Sequence, residues 1–184
     1  IVGWVGRLHL MGVDKGVGLL VEALRGTDTA LAVVGGPDDM VAALRARWVA
    51  AGLDPARFLA AGQVAPERVP LTLSACDVCA MPHPWTEHFA YHTSPIKLFE
   101  YMASGRALVA SDLPAFAEVV TDGESALLVP PGDAAAFGAA LARLRADPAL
   151  RERLAARARA DVMQRYTWGA RAAAIRAFIE TAPA

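Results

Sequence analysis

Short apolar runs alternate with longer amphipathic stretches from residue 1 to residue 129, and this alternation restricts the fold more than any other feature of the chain. Runs of four or five apolar residues closed by glycine or proline read as strands buried on both faces, and the stretches between them carry helical spacing. Strands linked through helices lie parallel in one sheet, with helices covering both faces. Strands are predicted over residues 1–5, 30–34, 57–61, 77–81, 107–110 and 126–129. Helices are predicted over 16–24, 38–51, 66–74 and 114–120, with another opened by Pro95, and residues 82–94 read as a loop. Beyond Pro130-Pro131-Gly132 the chain turns helical: Phe137, Leu141 and Leu144 share one face, Leu150, Leu154, Ala158 and Val162 another, and Ile175, Phe178 and Ile179 a third. Asp133 and Asp147 stand where helix caps are wanted. The predicted fold is α/β: a doubly wound six-stranded parallel sheet, Rossmann-like, over 1–132 with a helical C-terminal tail over 133–184, all in one domain.

Composition excludes several classes. With 184 residues, 55% of them hydrophobic, the chain can bury a sizeable core. A net charge of −1 and the lack of basic clusters interleaved with aromatics argue against nucleic acid as a partner. No apolar run approaches the roughly 20 residues of a membrane span and no signal peptide is visible, so a cytoplasmic location is expected. Cys76 and Cys79 have C-x-x-C spacing but fall in an apolar run without a second ligand cluster, and read as core thiols in a reducing compartment. Because Ile1 lies inside a predicted strand, the chain is expected to be part of a longer protein.

Ligands of doubly wound sheets bind beyond the carboxyl ends of the strands, and the residues able to do chemistry gather there. Ser94 to Glu100 joins a loop to a helix whose mouth offers an anion free amides and the positive end of a dipole. Ser94 is the expected cap and Pro95 the expected first helical residue. Leu98, Phe99 and Met102 form the expected buried stripe, which holds Glu100 near the entrance as a carboxylate in need of a partner; two ribose hydroxyls would satisfy it, and a solvated glutamate on an ordinary helix is the alternative. Only two lysines, Lys15 and Lys97, occur against sixteen arginines, and both fall at this edge. Lysine serves phosphate as a compact charge, while Arg7 adds a fork able to grip two phosphate oxygens. A lysine that merely opens a helix is the alternative for Lys15. Gly6 and Gly16 flank these cations, and Gly35-Gly36-Pro37 closes the second strand. Gly16-Val17-Gly18 lacks the third glycine of dinucleotide sites and no P-loop occurs, which argues against NAD binding and ATP hydrolysis.

Gly6-Arg7-Leu8, Lys15-Gly16, Val34-Gly35-Gly36-Pro37, Gly62-Gln63-Val64, Ala75-Cys76-Asp77-Val78, Ser94 to Gly105, Val109 to Pro114, Asp122-Gly123 and Leu127 to Asp133 follow one another along the chain. Together, and over essentially its whole length, they resemble the C-terminal half of the family 4 (group 1) glycosyltransferases. The resemblance implies one half of a GT-B architecture, in which two Rossmann-like domains face each other across a cleft and the C-terminal one binds a nucleotide-sugar donor. It implies a retaining transfer from a nucleotide-diphosphate sugar, a substrate rather than a cofactor, to a glycan or lipid-linked acceptor. The acceptor is expected on an N-terminal domain outside this chain, which would also make any peripheral contact with the inner face of the membrane. By resemblance, Arg7 and Lys15 hold the donor pyrophosphate and stabilise the leaving nucleoside diphosphate. Glu100 accepts hydrogen bonds from the ribose, Gln63 and Val64 line the base, and Gly6, Gly36, Pro95, Ile96, Lys97 and Leu98 bring backbone close to the phosphates.

The family usually pairs two glutamates separated by seven residues, the first contacting the sugar. Counting back from Glu100, that position is His92. Either His92 or Glu87 takes the sugar contact, or His92 is an exposed histidine without a role. A metal site built from His83, Glu87, His88 and His92 is disfavoured, because only His88 and His92 have helical spacing and the family does without a metal. Two readings stand beside the transferase. One is a nucleotide-sugar-binding module without transfer chemistry, which the missing glutamate favours; the other is a GT-B-type epimerase or phosphorylase.

Overall fold

The computed structural model describes residues 1–10 and 12–181. Each apolar run becomes a strand. In chain order, β1 (Val2–Val5) is followed by a short antiparallel pair, β2 (His9–Leu10) and β3 (Val13–Asp14), and then by β4 (Leu31–Val34), β5 (Phe58–Gly62), β6 (Val78–Met81), β7 (Ala107–Ser111) and β8 (Leu127–Val129). Six of these form one parallel sheet in the order β5-β4-β1-β6-β7-β8. The chain builds outward from β1 to one edge, crosses back, and builds from β6 to the other. The connections after β1 and β6 therefore diverge and leave a crevice between them. β1, β6 and β7 are buried at every position, as strands covered on both faces must be.

The helices are α1 (Leu19–Ala23), α2 (Asp38–Ala50), α3 (Val69–Ser74), α4 (Glu87–Tyr91), α5 (Ile96–Ala103), α6 (Pro114–Ala117), α7 (Ala134–Ala146), α8 (Pro148–Arg165) and α9 (Trp168–Thr181). Alternate strand residues feed two cores. Trp4, Leu31, Val78 and Val109 meet Trp48 of α2 and Phe137 of α7 in one, and Val5, Cys79, Met81 and Leu108 meet Tyr101 and Met102 of α5 in the other. The tail belongs to the same body, since α8 gives Leu150 and Leu154 to the first core and Ala158 and Val162 to the second. Asp133 caps α7 by accepting from the Ala136 N–H at 2.8 Å, and Asp147 caps α8 from Leu150 at 2.9 Å. α9 buries nothing: Ile175, Phe178 and Ile179 are exposed, so the third predicted stripe does not pack on this sheet. The last three residues of the predicted tail lie outside the described ones.

The differences from expectation have local causes. The predicted helix over 16–24 begins only at Leu19, because Gly16, Val17 and Gly18 form a turn, with Gly16 at φ +75°. The helix over 66–74 divides into a 3₁₀ turn, Pro66–Arg68, and α3, where Pro66 and Pro70 each lack an N–H. The predicted loop over 82–94 contains α4, whose Thr86 cap accepts from the Phe89 N–H at 3.1 Å. Cys76 and Cys79 are free and buried, and burial pushes the Cys79 thiol up to about 12, the chemistry of an inert core thiol.

One close approach fixes the ligand edge. Gly35 sits at φ +133° against the backbone of Gly6, whose carbonyl occupies the space a Cβ would need. Gly35→Ala is expected to lower stability by roughly 3 kcal/mol, through strain at a special backbone position, read as a lower urea midpoint with unchanged slope.

Candidate functional site

A cavity of about 270 Å³ opens at the crevice between β1 and β6. Lys15 enters it from the connection after β1, Met81 and His83 from the end of β6, His88 and Phe89 from α4, and Phe116 from α6. Thr93, Ser94, Pro95, Ile96, Lys97 and Glu100 complete the wall from α5 and its approach. A larger concavity of about 350 Å³ lies at the amino ends of the strands, around Asp28, Asp77 and Arg145. There Arg145 pairs with Asp28, while Arg151 donates to the Leu144 carbonyl at 3.3 Å.

Backbone bonds between adjacent turns hold the Lys15 side of the cavity. Gly6 N–H donates to the Val34 carbonyl at 2.7 Å, Gly35 N–H to Gly62 at 2.7 Å and Leu8 N–H to Gly36 at 3.0 Å. The β2–β3 pair then returns the chain so that Lys15 N–H reaches the Leu8 carbonyl at 3.0 Å, and the Asp14 carboxylate accepts from Gly16 N–H at 2.8 Å. Lys15 is half-buried; burial and then the nearby Arg7 guanidinium hold its pKa below the usual lysine range. Arg7 itself is exposed. The two cations thus stand close enough for each to feel the other's charge.

The α5 side differs from the reading of its sequence in two respects. First, the helix starts at Ile96 with Pro95 at the cap position, and Ser94 does not cap it. Instead the Ser94 carbonyl accepts from Ile96 N–H at 2.9 Å and the Pro95 carbonyl from Leu98 N–H at 2.8 Å. Two of the amides expected to face phosphate are therefore already bonded. Second, Glu100 is not a buried carboxylate but stands exposed at the cavity rim. The buried face is Leu98, Tyr101 and Met102, while Phe99 is only half-buried, with its ring centroid 5.1 Å from that of Tyr166. With Tyr101 rather than Phe99 on the inner face, Glu100 turns almost directly away from the core.

Lys97 reaches inward from the first turn of α5. Its Nζ donates to the Val5 carbonyl at 2.5 Å and lies 5.5 Å from the centre of the Trp4 ring. Burial, then the charge of Lys15, lowers its pKa to about 8, with Glu100 acting in the opposite sense. The Tyr101 hydroxyl accepts from Val5 N–H at 2.8 Å, so α5 grips both backbone polar groups of one β1 residue.

Of the residues singled out from the sequence, Lys15, Ser94, Pro95, Ile96, Lys97 and Glu100 line the cavity, together with His83 and His88 of the disfavoured metal set. Gly6 and Arg7 adjoin it through the β1 turn. Gly36, with Gln63 beside it and the half-buried Val64, lies further along the carboxyl edge, beyond β4 and β5. The Leu98 side chain is wholly in the core. His92 is exposed, lies outside the cavity lining, and has Nε2 4.0 Å from Glu87. Among the described residues no group of three or more His, Cys, Asp or Glu is placed to hold a metal ion. His83, weighed from the sequence only as a metal ligand, is also a lining residue. Its signal was Met81-Pro82-His83-Pro84 directly at the carboxyl end of a predicted strand, and grouping it with His88 and His92 by type concealed it.

Residues 1–147 match the model of the family Glycosyl transferases group 1. The phosphatidyl-myo-inositol mannosyltransferase of Mycobacterium leprae is 39% identical over 173 residues, covering 91% of this chain and 43% of that protein. The chain spans less than half the length of the curated relatives it matches. Among solved structures, the C-terminal domain of a group 1 glycosyl transferase (LpcC) from Francisella tularensis matches with a TM-score of 0.74 at 26% identity, over 91% of this chain and 86% of that one. HepE of Anabaena, solved in complex with UDP and glucose, matches in fold with a TM-score of 0.81 at 24% identity, over 98% of this chain and 48% of that one. The six-stranded doubly wound sheet is thus shared with glycosyltransferase domains, and the chain belongs to the glycosyl transferases group 1 family, with the fold of its C-terminal GT-B domain.

Proposed function

We propose that this domain binds the nucleotide-diphosphate sugar of a retaining glycosyltransferase, which passes the sugar to a glycan or lipid-linked acceptor. The observation that carries this reading is the convergence of Lys15, Lys97 and Glu100 on one cavity at the switch point of the sheet, with Arg7 beside Lys15. When the bond between sugar and diphosphate breaks, negative charge gathers on the leaving oxygens, and cations already fixed in place favour that charge without reorganising. Arg7 and Lys15 approach the diphosphate from the β1 turn, and Lys97 from α5. The Glu100 carboxylate at the rim accepts from ribose hydroxyls, while Gln63 and Val64 flank the base. The curated relatives named as phosphatidyl-myo-inositol mannosyltransferases support a hexosyl donor and a lipid-linked acceptor. Retention of configuration and an acceptor-binding N-terminal domain rest on the family resemblance, and this half by itself is expected to bind donor but turn over little.

Among the described residues no helix is long and apolar enough to cross a membrane. A cytoplasmic protein that meets a lipid-linked acceptor at the inner membrane face through its other domain fits the reading. The exposed position of His92 favours one alternative, a donor-binding module without transfer chemistry. A longer protein that binds a nucleotide sugar yet neither transfers nor hydrolyses it would establish that alternative.

Arg7→Ala and Lys15→Ala are each expected to weaken UDP or GDP binding by roughly 1.5–3 kcal/mol, the scale of hydrogen bonds to charged groups. Calorimetry showing unchanged affinity in both variants removes them from the phosphate site. Glu100→Gln should weaken ribonucleotides and leave 2′,3′-dideoxy analogues nearly unaffected; equal losses for both ligands contradict a ribose contact. The lowered pKa of Lys97, about 8, gives a third expectation. A bound anion raises that pKa, so affinity is full below about 8 and declines as pH rises past it, whereas a flat profile from pH 7 to 9.5 shows that the ligand does not sense this ammonium.

A further inference from the structure

His83 is 5% exposed, yet it belongs to the wall of the cavity. Three aromatic rings hold its imidazole. Phe89 meets it edge-on at 4.8 Å between centroids, Phe116 edge-on at 5.3 Å, and Trp4 lies tilted at 5.6 Å. The ring therefore has little freedom to turn. Its Nδ1 is sealed from solvent without a hydrogen-bond partner, which leaves Nε2 as the ring nitrogen facing the cavity.

That asymmetry, with an anion between the lysines, favours one position for the proton. A neutral imidazole carries one N–H. Placed on Nδ1, the N–H would be a buried donor with nothing to bond, a cost set against the attraction of an Nε2 lone pair to the two lysines. Placed on Nε2, the N–H points into the cavity, and the sealed Nδ1 is left as an acceptor, the kind of unpaired group that interiors tolerate better. Burial, then the charges of Lys15 and Lys97, lowers the His83 pKa to about 3, so the ring stays neutral throughout the range in which enzymes work. The other titratable groups of the wall are His88 from α4 and Glu100 from α5; Trp4, Phe89 and Phe116 against the ring carry no charge.

The geometry points to His83 as a further donor-binding residue, a neutral Nε2–H aimed at a phosphoryl oxygen of the nucleoside diphosphate held between Lys15 and Lys97. This rests on the proposed function and deepens it. It also moves attention from His92, which is exposed, to a histidine whose ring is already fixed by its surroundings. A neutral donor adds direction where the lysines add charge, and it does so without a further buried cation.

The test combines tautomer and affinity measurements on the protein as it stands. Nitrogen-15 NMR should show His83 as the neutral Nε2–H tautomer from pH 5 to 8, with its resonances moved by UDP or GDP and much less by UMP or GMP. His83→Phe keeps the aromatic packing and should bind the preferred nucleoside diphosphate about tenfold more weakly. His83→Gln, which can place an amide N–H near the position of Nε2, should recover most of that loss, and His83→Asn, which places it near Nδ1, should not. A purely structural histidine would show no such Gln–Asn contrast. An Nδ1–H tautomer, a titration midpoint between pH 5 and 8, or a His83→Phe variant binding as tightly as wild type each overturns the assignment. Should the Phe variant fail to fold, the wild-type tautomer and its response to ligand still decide. Wild-type protein that binds none of UDP, GDP and ADP removes the nucleotide reading and this one together, whereas binding that ignores His83 removes this one alone.

Discussion

The backbone of Val5 is the point on which the site depends. Its N–H is taken by the Tyr101 hydroxyl at 2.8 Å and its carbonyl by the Lys97 ammonium at 2.5 Å, both from α5. β1 ends there, one residue before Gly6 and two before Arg7. On the other side, Gly6 donates to Val34 and packs under Gly35, whose lack of a side chain permits the contact. One short stretch of backbone is thus fixed between the β4 turn and the helix that carries Glu100. The spacing of Arg7 and Lys15 from Glu100 is consequently set by hydrogen bonds inside the fold rather than by loop conformation. A buried ammonium and a buried phenol are costly to desolvate, and both are placed where they bond.

The electrostatics of the ligand-free cavity follow from this arrangement. Lys15, Lys97 and His83 all have pKa values held below their ordinary ranges by burial first and by one another's charge or that of Arg7 second. Such a cluster is unfavourable for the isolated domain and is offset by an anion placed among its members. The diphosphate of the proposed donor would supply that anion, at the crevice between the divergent connections after β1 and β6.

Much of the fold was legible in the sequence, because strands buried on both faces must be continuous apolar runs and their closing glycines are local features. Val2–Val5, Leu31–Val34 and Ala107–Ser111 fall within a residue of expectation for that reason. What escaped depended on contacts between distant segments. The β2–β3 pair is two residues wide on each side, too short to leave a period. α4 depends on its Thr86 cap more than on any apolar stripe. In α5, Phe99 and Tyr101 are both aromatic, and the choice between them rotates the helix; only the Val5 peptide, 96 residues away in sequence from Tyr101, fixes which one turns inward. Glu100 was therefore placed at the right edge of the fold but with the wrong burial. Likewise Ser94 had the composition of a cap, yet the proline that follows takes the cap position. His83 stood at the end of a correctly predicted strand, but the enclosure that gives it a direction comes from β1, α4 and α6 together.

The central claim is that the cavity between β1 and β6 receives a nucleoside diphosphate carrying a sugar. It is tested most directly by thermal unfolding of the domain in the presence of UDP-, GDP- and ADP-sugars, with the matching nucleoside monophosphates as controls. One base is expected to stand out, its diphosphate sugar raising Tm by roughly 5–10 °C at a hundredfold excess over Kd and its monophosphate by much less. Melting curves unchanged by every diphosphate sugar up to millimolar concentration would contradict the account.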